Sequence, residues 1–407
     1  MNRSNYFIVP FLLILIIATA EMATAIYTPC LPVIAEHFQV SGEIVQWTVS
    51  INLLGLALSG LIYGPWSDCY GRRLVLRTGM GLFLFGSLFS LTATSIEILL
   101  AARFIQGLGA GVAVVVALAV VRDLFDEKKS AQVLSYMGMA IALSPGVAPI
   151  VGSYLTHSHG WKMCFGVVSI AAALIVLLLF FWMPETLPEK KRSHFSLKSI
   201  GRGYAKAFQN KRFLTLALIP SLMIGGIWAW MAALPLLFIS YLHVPLQHYG
   251  YYGFSGVAFY VLGTFINSKL VNRYSLHALL LSGLSLCLLS ASLLMGAGFL
   301  GVKSPLLLQV LGFPFAFGLA FILPNGTALA FSEVQEGLGT SSALLGSLEM
   351  ALGALGVFLV GKFFEGTMIS IAAIMLIGTL LSFFLYFYLG KRRLKDHGLF
   401  KLSLKKG

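Results

Sequence analysis

The sequence predicts an all-α polytopic membrane protein. Of its 407 residues, 58% are hydrophobic and 11% are charged, whereas a soluble globular domain is usually about half apolar and a quarter charged. Apolar runs recur along the whole chain, and the charged residues gather in the short segments between them. These observations favour membrane spans and exclude a soluble enzyme fold.

Twelve apolar segments are long enough to span a membrane, since a helix needs about 20 apolar residues to cross the hydrocarbon core. Proline, glycine and charged residues mark the breaks between them, for example at Gly64-Pro65, Gly160 and Pro184. The predicted spans are residues 7–29, 45–65, 74–94, 97–121, 132–155, 161–183, 213–239, 249–271, 276–300, 305–331, 337–363 and 367–390.

The distribution of lysine and arginine predicts the orientation, because these residues are enriched in cytoplasmic loops. With the amino terminus inside, Lys162, Lys303 and Lys362 lie outside and Arg103 lies within a span, which leaves 24 of the 28 bases on the cytoplasmic side. We therefore expect a multi-pass protein of the inner membrane with both termini cytoplasmic. The net charge of +13 then reflects topology, and no nucleic-acid partner is expected.

The polar segment 184–212 predicts a division into two pseudo-symmetric six-helix halves. It carries eight bases and is interpreted as a cytoplasmic linker, with a short surface helix over 195–208. The predicted units are an N-terminal bundle (1–183), the linker (184–212), a C-terminal bundle (213–390) and a basic cytoplasmic tail (391–407). Parallel six-span repeats are one architecture that transporters use.

Two acidic residues, Glu21 and Glu349, lie deep inside apolar runs. A carboxylate within a bilayer costs roughly 2 to 4 kcal/mol, so it indicates a function in moving protons or cationic solutes. Glu21 could instead form a static pair with Arg103 that only fixes helix packing. Glu349 is either a second proton or cation site or a hydrogen-bonding partner for Asn or Ser across a helix interface.

The loop after span two contains an acid and two bases within six residues. Asp68 is placed to meet a base or a helix amino terminus, and Arg72 and Arg73 could pair with Asp123 after span four. Such a cluster would latch the cytoplasmic helix ends in one state and release them in another. An ordinary turn with topology-setting charges is the alternative.

Span four begins with a polar face, because Arg103, Gln106 and Gly107 stand at positions i, i+3 and i+4. Gly107 and Gly111 form a small-xxx-small surface for close helix packing. The position of Arg103 favours a lined cavity, with snorkelling to the outer interface as the alternative. Span five has helix-bending prolines and a packing glycine, namely Pro145, Pro149 and Gly152.

These features together resemble the major facilitator superfamily. The loop after span two is similar to the family's loop 2–3 motif (Gly64-x-x-x-Asp68-x-x-Gly71-Arg72-Arg73), span four to its span-four motif (Arg103-x-x-Gln106-Gly107-x-Gly109), and span five to the antiporter motif of the drug/proton branch (Ala148-Pro149-x-x-Gly152). Finer matches resemble the bicyclomycin-resistance type of exporter, at Tyr27-x-Pro29-x-Leu31-Pro32, Arg122-Asp123-Leu124-Phe125 and Pro184-Glu185-Thr186-Leu187-Pro188. The family usually places an aspartate at the position of Ala25; here the acid is Glu21, one helical turn earlier on the same face.

The resemblance implies a proton-driven antiporter that exports small lipophilic molecules, cationic or neutral, by alternating access. Arg103 would then be the arginine of proton coupling, with Glu21 and Glu349 as acids, and Gly71 would join Asp68, Arg72, Arg73 and Asp123 in a cytoplasmic gate. Protons, the substrate and the bilayer are the expected partners of a monomer that needs no cofactor or metal. An exporter or importer of a single metabolite, such as an amino acid or a sugar, is the alternative.

Ten further residues are candidates for the substrate cavity. Aromatic rings supply contact area and cation–π attraction, and methionine adapts to varied shapes. The candidates are Asn52, Gln106, Trp228, Trp230, Met231, Tyr260, Phe265, Gln309, Phe317 and Asn325.

Overall fold

A computed structural model describes residues 5–192 and 196–396. These residues fold into α-helices joined by short connections, and they contain no β-strand. The helices are α1 (Asn5–Ala25), α2 (Leu31–Phe38), α3 (Gly42–Tyr70), α4 (Arg72–Leu91), α5 (Ile96–Ala110), α6 (Val112–Leu124), α7 (Glu127–His159), α8 (Lys162–Trp182), α9 (Leu197–Gln209), α10 (Lys211–Pro235), α11 (Leu246–Leu270), α12 (Leu276–Phe299), α13 (Pro305–Ser332), α14 (Leu338–Phe363) and α15 (Met368–Asp396).

Eleven stretches of helix in this described part of the chain are long and apolar enough to span a membrane. The first combines α1 with α2, and the fourth combines α5 with α6. Helix α11 also has the necessary length, at 25 residues, but its tyrosines, glycines and polar residues lower its mean hydropathy. The structure therefore has eleven clear spans and one helix of spanning length, where the sequence predicts twelve spans.

Local sequence explains where the helices begin and end. The first amide groups of a helix lack intrahelical acceptors, and the side chains of Ser41, Ser95 and Asp126 accept from them at the starts of α3, α5 and α7. Gly71 and Gly160 follow α3 and α7 with φ values of 93° and 82°, which glycine adopts without strain. Helix α7 continues through Pro145 and Pro149.

The buried apolar side chains form two large clusters that divide at the linker. The first is built mainly from α1–α8 and includes Tyr27, Phe83 and Phe165. The second is built from α9–α15 and includes Phe213 and Phe315. The core is thus arranged in two halves, as the sequence predicts.

The two halves meet along two pairs of helices. Helix α3 packs against α14, where Ser50 Oγ donates to the Ala354 carbonyl (2.8 Å) and the rings of Trp47 and Phe358 stack with centroids 5.9 Å apart. Helix α7 packs against α11, where the hydroxyls of Tyr154 and Tyr251 lie 2.9 Å apart and Gly250 approaches the backbone of α7. These contacts involve the beginning of α3 and α11 and the end of α7 and α14. We call this end of the bundle the far side, and the end that carries α9 the linker side.

Helix α7 has fewer close contacts toward the linker side. In α7, a carbon added at Gly138 would meet no atom within 4 Å, and Tyr136 and Met139 are about half exposed. Phe265, toward the linker-side end of α11, is 61% exposed. The interface between α7 and α11 is therefore closed on the far side and loose on the linker side.

Helix α9 lies beside α3, α10 and α14 on the linker side. The predicted surface helix begins at Phe195, which is outside the described residues; the helix in the structure covers Leu197–Gln209. Its Ala207 is buried and Tyr204 partly buried. This part of the apolar face therefore packs on the protein instead of facing a membrane surface.

The four cysteines are free, but two of them are neighbours. The Sγ atoms of Cys30 and Cys164 lie 3.5 Å apart, and Thr156 Oγ1 lies 2.8 Å from the Sγ of Cys30. The end of α1 and the start of α8 meet at this point on the far side. The distance of 134 positions along the chain gives no sign of this contact.

Glycines allow close helix contact at the predicted packing positions. A side-chain carbon at Gly107 would overlap the carbonyl of Asn52, one at Gly111 would overlap Ser59, and one at Gly152 would overlap the carbonyl of Ile26. The backbone of α5 therefore lies directly against that of α3, and the backbone of α7 lies directly against the segment that follows α1.

We predict that Gly152→Ala lowers thermal stability while Gly138→Ala in the same helix does not. The added methyl group at Gly152 meets a backbone carbonyl that cannot rotate away, and overpacking of this kind costs about 1–3 kcal/mol. At Gly138 the methyl group has open space, and alanine is the better helix former by up to about 1 kcal/mol. Unfolding of both purified variants by heat would compare them; equal melting temperatures would contradict the packing described here.

Candidate functional site

Arg103 is the largest fully buried side chain in the described part of the chain. It lies on α5, two turns after Ser95 caps the helix. Its Nη1 atom donates to Gln106 Oε1 and, at 3.4 Å, to the carbonyl of Ala23 on α1. The predicted alternative, in which Arg103 snorkels to the outer interface, is therefore wrong.

The positive charge of Arg103 is stabilised by rings instead of a carboxylate. Its guanidinium carbon lies 4.0 Å from the ring centroid of Tyr27 and 5.8 Å from that of Phe165, and a desolvated cation–π contact contributes about 2 kcal/mol. The Nε and Nη2 groups have no hydrogen-bond acceptor among the described residues. The Nε and Nη2 groups of Arg103 can therefore still donate hydrogen bonds to an anionic or carbonyl partner.

Gln106 and Asn52 fix the helices around Arg103. Gln106 Nε2 donates to Ser87 Oγ on α4 (2.8 Å), and Asn52 Nδ2 on α3 donates to the carbonyl of Arg103 (2.8 Å). Both side chains are buried. They hold α3, α4 and α5 together, and Arg103 acquires a fixed position through them.

Glu21 lies on α1, two residues before Ala23, whose carbonyl contacts Arg103. Its side chain is partly exposed, and no ion pair within the described residues joins it to Arg103. The static Glu21–Arg103 pair is therefore not formed in this arrangement. A carboxyl group and a guanidinium with unused donors instead stand on adjacent helices.

Glu349 is the corresponding isolated acid of the C-terminal half, on α14. It is partly exposed. Among the residues that the structure describes, no Asn or Ser bonds to Glu349 across a helix interface. The hydrogen-bonding alternative is therefore not formed here, and Glu349 remains a candidate cation or proton site.

The predicted cavity residues divide into two groups. Trp228, Met231, Tyr260 and Phe317 are partly exposed, and Phe265 is mostly exposed. The other five are buried in helix packing and do not line an open surface, which corrects the prediction for Asn52, Gln106, Trp230, Gln309 and Asn325.

The buried members of this set have structural partners. Gln309 Nε2 donates to the carbonyl of Tyr252 (2.9 Å), and Asn325 Nδ2 donates to Asn267 Oδ1 (2.9 Å). The Trp230 ring packs at the backbone of Gly312.

Within the described residues, no group of three His, Cys, Asp or Glu side chains could hold a metal ion.

On the linker side, Arg72 is the centre of a second cluster. Its Nη1 donates to Asp68 Oδ1 (2.5 Å) and to Ser67 Oγ (2.7 Å), and its Nε donates to Asp123 Oδ2 (3.0 Å). The Arg72 side chain is 8% exposed and that of Asp68 is 53% exposed. Of the two arginines predicted to pair with Asp123, Arg72 at the start of α4 makes the contact.

Arg73 does not pair with Asp123, contrary to the prediction. Its Nη2 donates to the carbonyl of Phe180 at the end of α8 (3.2 Å), and Arg77 donates to the same carbonyl. The side chain points away from Asp123 because successive residues of a helix face different directions.

Glu185, in the segment after α8, completes the cluster and is not among the predicted site residues. Its carboxylate accepts from the backbone N–H groups of Arg72 (2.9 Å), Arg73 (3.3 Å), Thr186 (3.0 Å) and Leu187 (3.0 Å). It therefore caps α4, where the first amides lack intrahelical acceptors and the helix dipole favours a negative charge.

Gly71 and Thr186 fit the same arrangement. A carbon added at Gly71 would lie 2.8 Å from Glu185 Cδ, so the carboxylate can approach only at a glycine. Thr186 Oγ1 donates to Asp123 Oδ2 (3.2 Å). The segment after α8 is thus tied to both α4 and α6. The separation of 113 positions between Arg72 and Glu185 gives no sequence signal of this cap.

We predict that Glu185→Gln lowers thermal stability, because the amide would place its own N–H donors against backbone donors. Loss of a helix cap typically costs about 0.5–2 kcal/mol. Glu189→Gln is the matched control, since Glu189 is 88% exposed and its nearest base is 3.8 Å away. Heat denaturation of both purified variants tests this; similar losses in the two would argue against Glu185 as the cap.

Comparison with known proteins places the chain in a family. The family model described as Major Facilitator Superfamily matches residues 13–357. The chain is 30% identical to a bicyclomycin resistance protein homolog of Haemophilus influenzae (91% of this chain, 93% of that protein) and 29% identical to multidrug resistance protein D of Escherichia coli (86% and 87%).

A solved structure agrees in fold. It is that of a bacterial homolog of the human lysosomal transporter Spinster in an inward-facing, unoccupied conformation, with a TM-score of 0.76, 17% identity, and coverage of 97% of this chain and 99% of that one. The region matched by the family model includes the linker and most of both halves, and it contains Glu21, Arg103 and Glu349. This chain belongs to the Major Facilitator Superfamily and is a multi-pass membrane transporter, not an enzyme.

Proposed function

We propose that this protein is a proton-coupled antiporter that exports small lipophilic drugs, cationic or neutral, by alternating access. The observation that supports it best is the pair of isolated carboxyl groups, Glu21 and Glu349, one in each half. Each lies within a membrane span, is partly exposed and has no ion-pair partner among the described residues. A membrane protein rarely keeps such groups without a function in transport.

The distribution of bases supports the inner membrane as the location, with both termini and the linker side cytoplasmic. Twenty-four of the 28 lysines and arginines then lie on the cytoplasmic side, as the positive-inside tendency requires. With this orientation, the far side is the outer side, where the halves are closed. The interface between α7 and α11 is then loose toward the cytoplasm, the side from which an exporter loads its substrate.

Drug export is favoured by the relatives, which are named for resistance to bicyclomycin and to several drugs. The partly exposed aromatic and methionine side chains Trp228, Met231, Tyr260 and Phe317 provide apolar contact area in the C-terminal half. A cationic drug and a proton could then compete for the same carboxyl group, which would couple their fluxes by mutual exclusion.

Arg103 offers a way to change the state of Glu21 during the cycle. Two of its donor groups are unused in the present arrangement, and it contacts α1 two residues from Glu21. In another state of the cycle, a deprotonated Glu21 that came within reach of these donors would be stabilised, whereas a protonated Glu21 gains little there. Proton release and helix movement would thereby be linked.

The Asp68–Arg72–Asp123 cluster would act as the cytoplasmic gate of the N-terminal half. In the open arrangement, the half-exposed Asp68 is bonded to Arg72 within its own half. We propose that the protein acts as a monomer, is driven by the proton gradient, and needs no cofactor.

We predict that the purified protein releases protons when bicyclomycin or a lipophilic cation such as tetraphenylphosphonium is added. Glu21→Gln and Glu349→Gln cannot lose a proton, so we expect each to lower drug-dependent proton release by about half, and the double variant to release none. Glu365→Gln, an exposed acid in the loop after α14, should behave like the wild type. A pH electrode in weakly buffered solution measures the release.

Full, pH-dependent drug export by the Glu21→Gln variant in vesicles would remove Glu21 from the mechanism. Export that continues after collapse of both the pH gradient and the voltage would exclude proton coupling altogether. Proton release with one amino acid or sugar, and with none of several unrelated drugs, would favour the single-metabolite alternative.

A further inference from the structure

Helix α9 is attached to the C-terminal half by polar contacts near its end. Lys206 Nζ lies 2.6 Å from Glu336 Oε2, and Asn210 Nδ2 donates to the carbonyl of Glu333 (2.8 Å). Asn210 also caps α10 through its Oδ1, which accepts from Phe213 N (3.1 Å). Because α9 continues almost directly into α10 and is bonded to the segment between α13 and α14, it moves with the C-terminal half.

The same helix reaches the N-terminal half through Tyr204. The Tyr204 hydroxyl donates to the main-chain carbonyl of Leu61 on α3 (2.8 Å). The preceding residue, Gly203, faces Thr340 in the first turn of α14, with only 3.4 Å available for an added carbon. Helix α9 therefore contacts the linker-side parts of α3 and α14, one from each half.

The acceptor on α3 is available for a specific reason. In an α-helix, the carbonyl of Leu61 would receive the N–H of residue 65. Residue 65 is Pro65, inside α3, and proline has no N–H to donate. The carbonyl of Leu61 therefore lacks its usual helical partner, and an uncompensated buried carbonyl costs free energy. The Tyr204 hydroxyl supplies the missing donor from the linker.

We propose that Tyr204 is a positioning residue. Its hydrogen bond to the carbonyl of Leu61, which Pro65 leaves without a helical donor, holds the linker helix to α3 and so favours the arrangement in which α7 and α11 are loosely packed on the linker side. The proposal rests on the alternating access of the proposed function. When the halves rock, the separation of α3 from the unit formed by α9, α10 and α14 changes. The Tyr204–Leu61 bond joins these two bodies and is lost when that separation changes.

The latch is not itself a proton switch. Burial raises the pKa of Tyr204 to about 12, so the hydroxyl keeps its proton and remains a donor throughout the physiological range of pH. Its effect on conformation is therefore independent of the carboxyl groups proposed to carry protons. The latch and the coupling can be tested separately.

The experiment measures the distance between the halves on the linker side by pulsed electron paramagnetic resonance. Spin labels are placed at Gln132→Cys on α7 and Ser268→Cys on α11, two exposed positions, in a chain whose partly exposed native thiol is removed by Cys69→Ser. The full-length protein is reconstituted without substrate. The ratio of long to short distances reports the fraction that is open on this side.

We expect Tyr204→Phe to shift this ratio about threefold to tenfold toward the short distance, as the loss of one hydrogen bond predicts. Pro65→Ala should give a similar shift with Tyr204 intact, because the restored N–H competes for the carbonyl of Leu61. In the double variant, the second change should add little to the first. Tyr274→Phe, which removes an exposed hydroxyl between α11 and α12, is the matched control and should cause no shift.

An unchanged ratio in Tyr204→Phe would overturn the proposal. A double variant whose shift equals the sum of the Tyr204→Phe and Pro65→Ala shifts would overturn it as well. Melting temperatures of the variants show whether each is folded. Because the distances are measured without substrate, the latch and the proposed function fail in different ways. If the ratio shifts in the variants but the protein exports no drug, the latch proposal stands and the proposed function fails. If export is proton-coupled and the ratios do not shift, only the latch proposal fails.

Discussion

A charged or polar group inside a membrane-spanning bundle must be bonded, stacked against a ring or open to water, because hydrocarbon offers it no partner. Three different solutions occur in this protein. Arg72 is surrounded by two carboxylates and a hydroxyl, and Arg103 lies over the ring of Tyr27. Glu21 and Glu349 show the third solution: they have no ion-pair partner among the described residues and are partly exposed. Their partial exposure distinguishes these two carboxyl groups from the buried bases Arg72 and Arg103.

The fold could be predicted to a large extent because the same constraint acts on the backbone. Long apolar runs must become helices that satisfy their own hydrogen bonds, and the breaks at Gly160 and Pro184 follow directly from residue type. The predicted break at Gly64-Pro65 is wrong, because α3 continues through Pro65 and ends at Tyr70. Helix α11 shows the limit, since its tyrosines and glycines lower its mean hydropathy below that of a clear span. Its position in the sequence and its packing against α7 and α13, not its composition, assign it to the bundle.

The sites were less predictable, since they depend on which face of a helix meets which neighbour. The contact of Arg72 with Asp123 follows from opposite charges at two helix ends. The cap supplied by Glu185 could not be read from spacing, because that residue is 113 positions from Arg72 and meets it only through folding. In helices that are apolar on every face, polar residues such as Gln309 and Asn325 give no sign of whether they line a cavity or bond a neighbouring helix, and here they do the latter.

Proline in a span has a second consequence besides bending. It removes one donor from the helix, and the carbonyl that loses its partner becomes a site where another element can bind. At Pro65 the partner is the Tyr204 hydroxyl of the linker, which attaches a polar segment of the chain to a membrane helix at one defined point. Because burial keeps this hydroxyl protonated near neutral pH, the proposed latch does not depend on the carboxyl groups that are proposed to carry protons. Evolution could then adjust the resting conformation through the linker without altering the carboxyl groups in the spans.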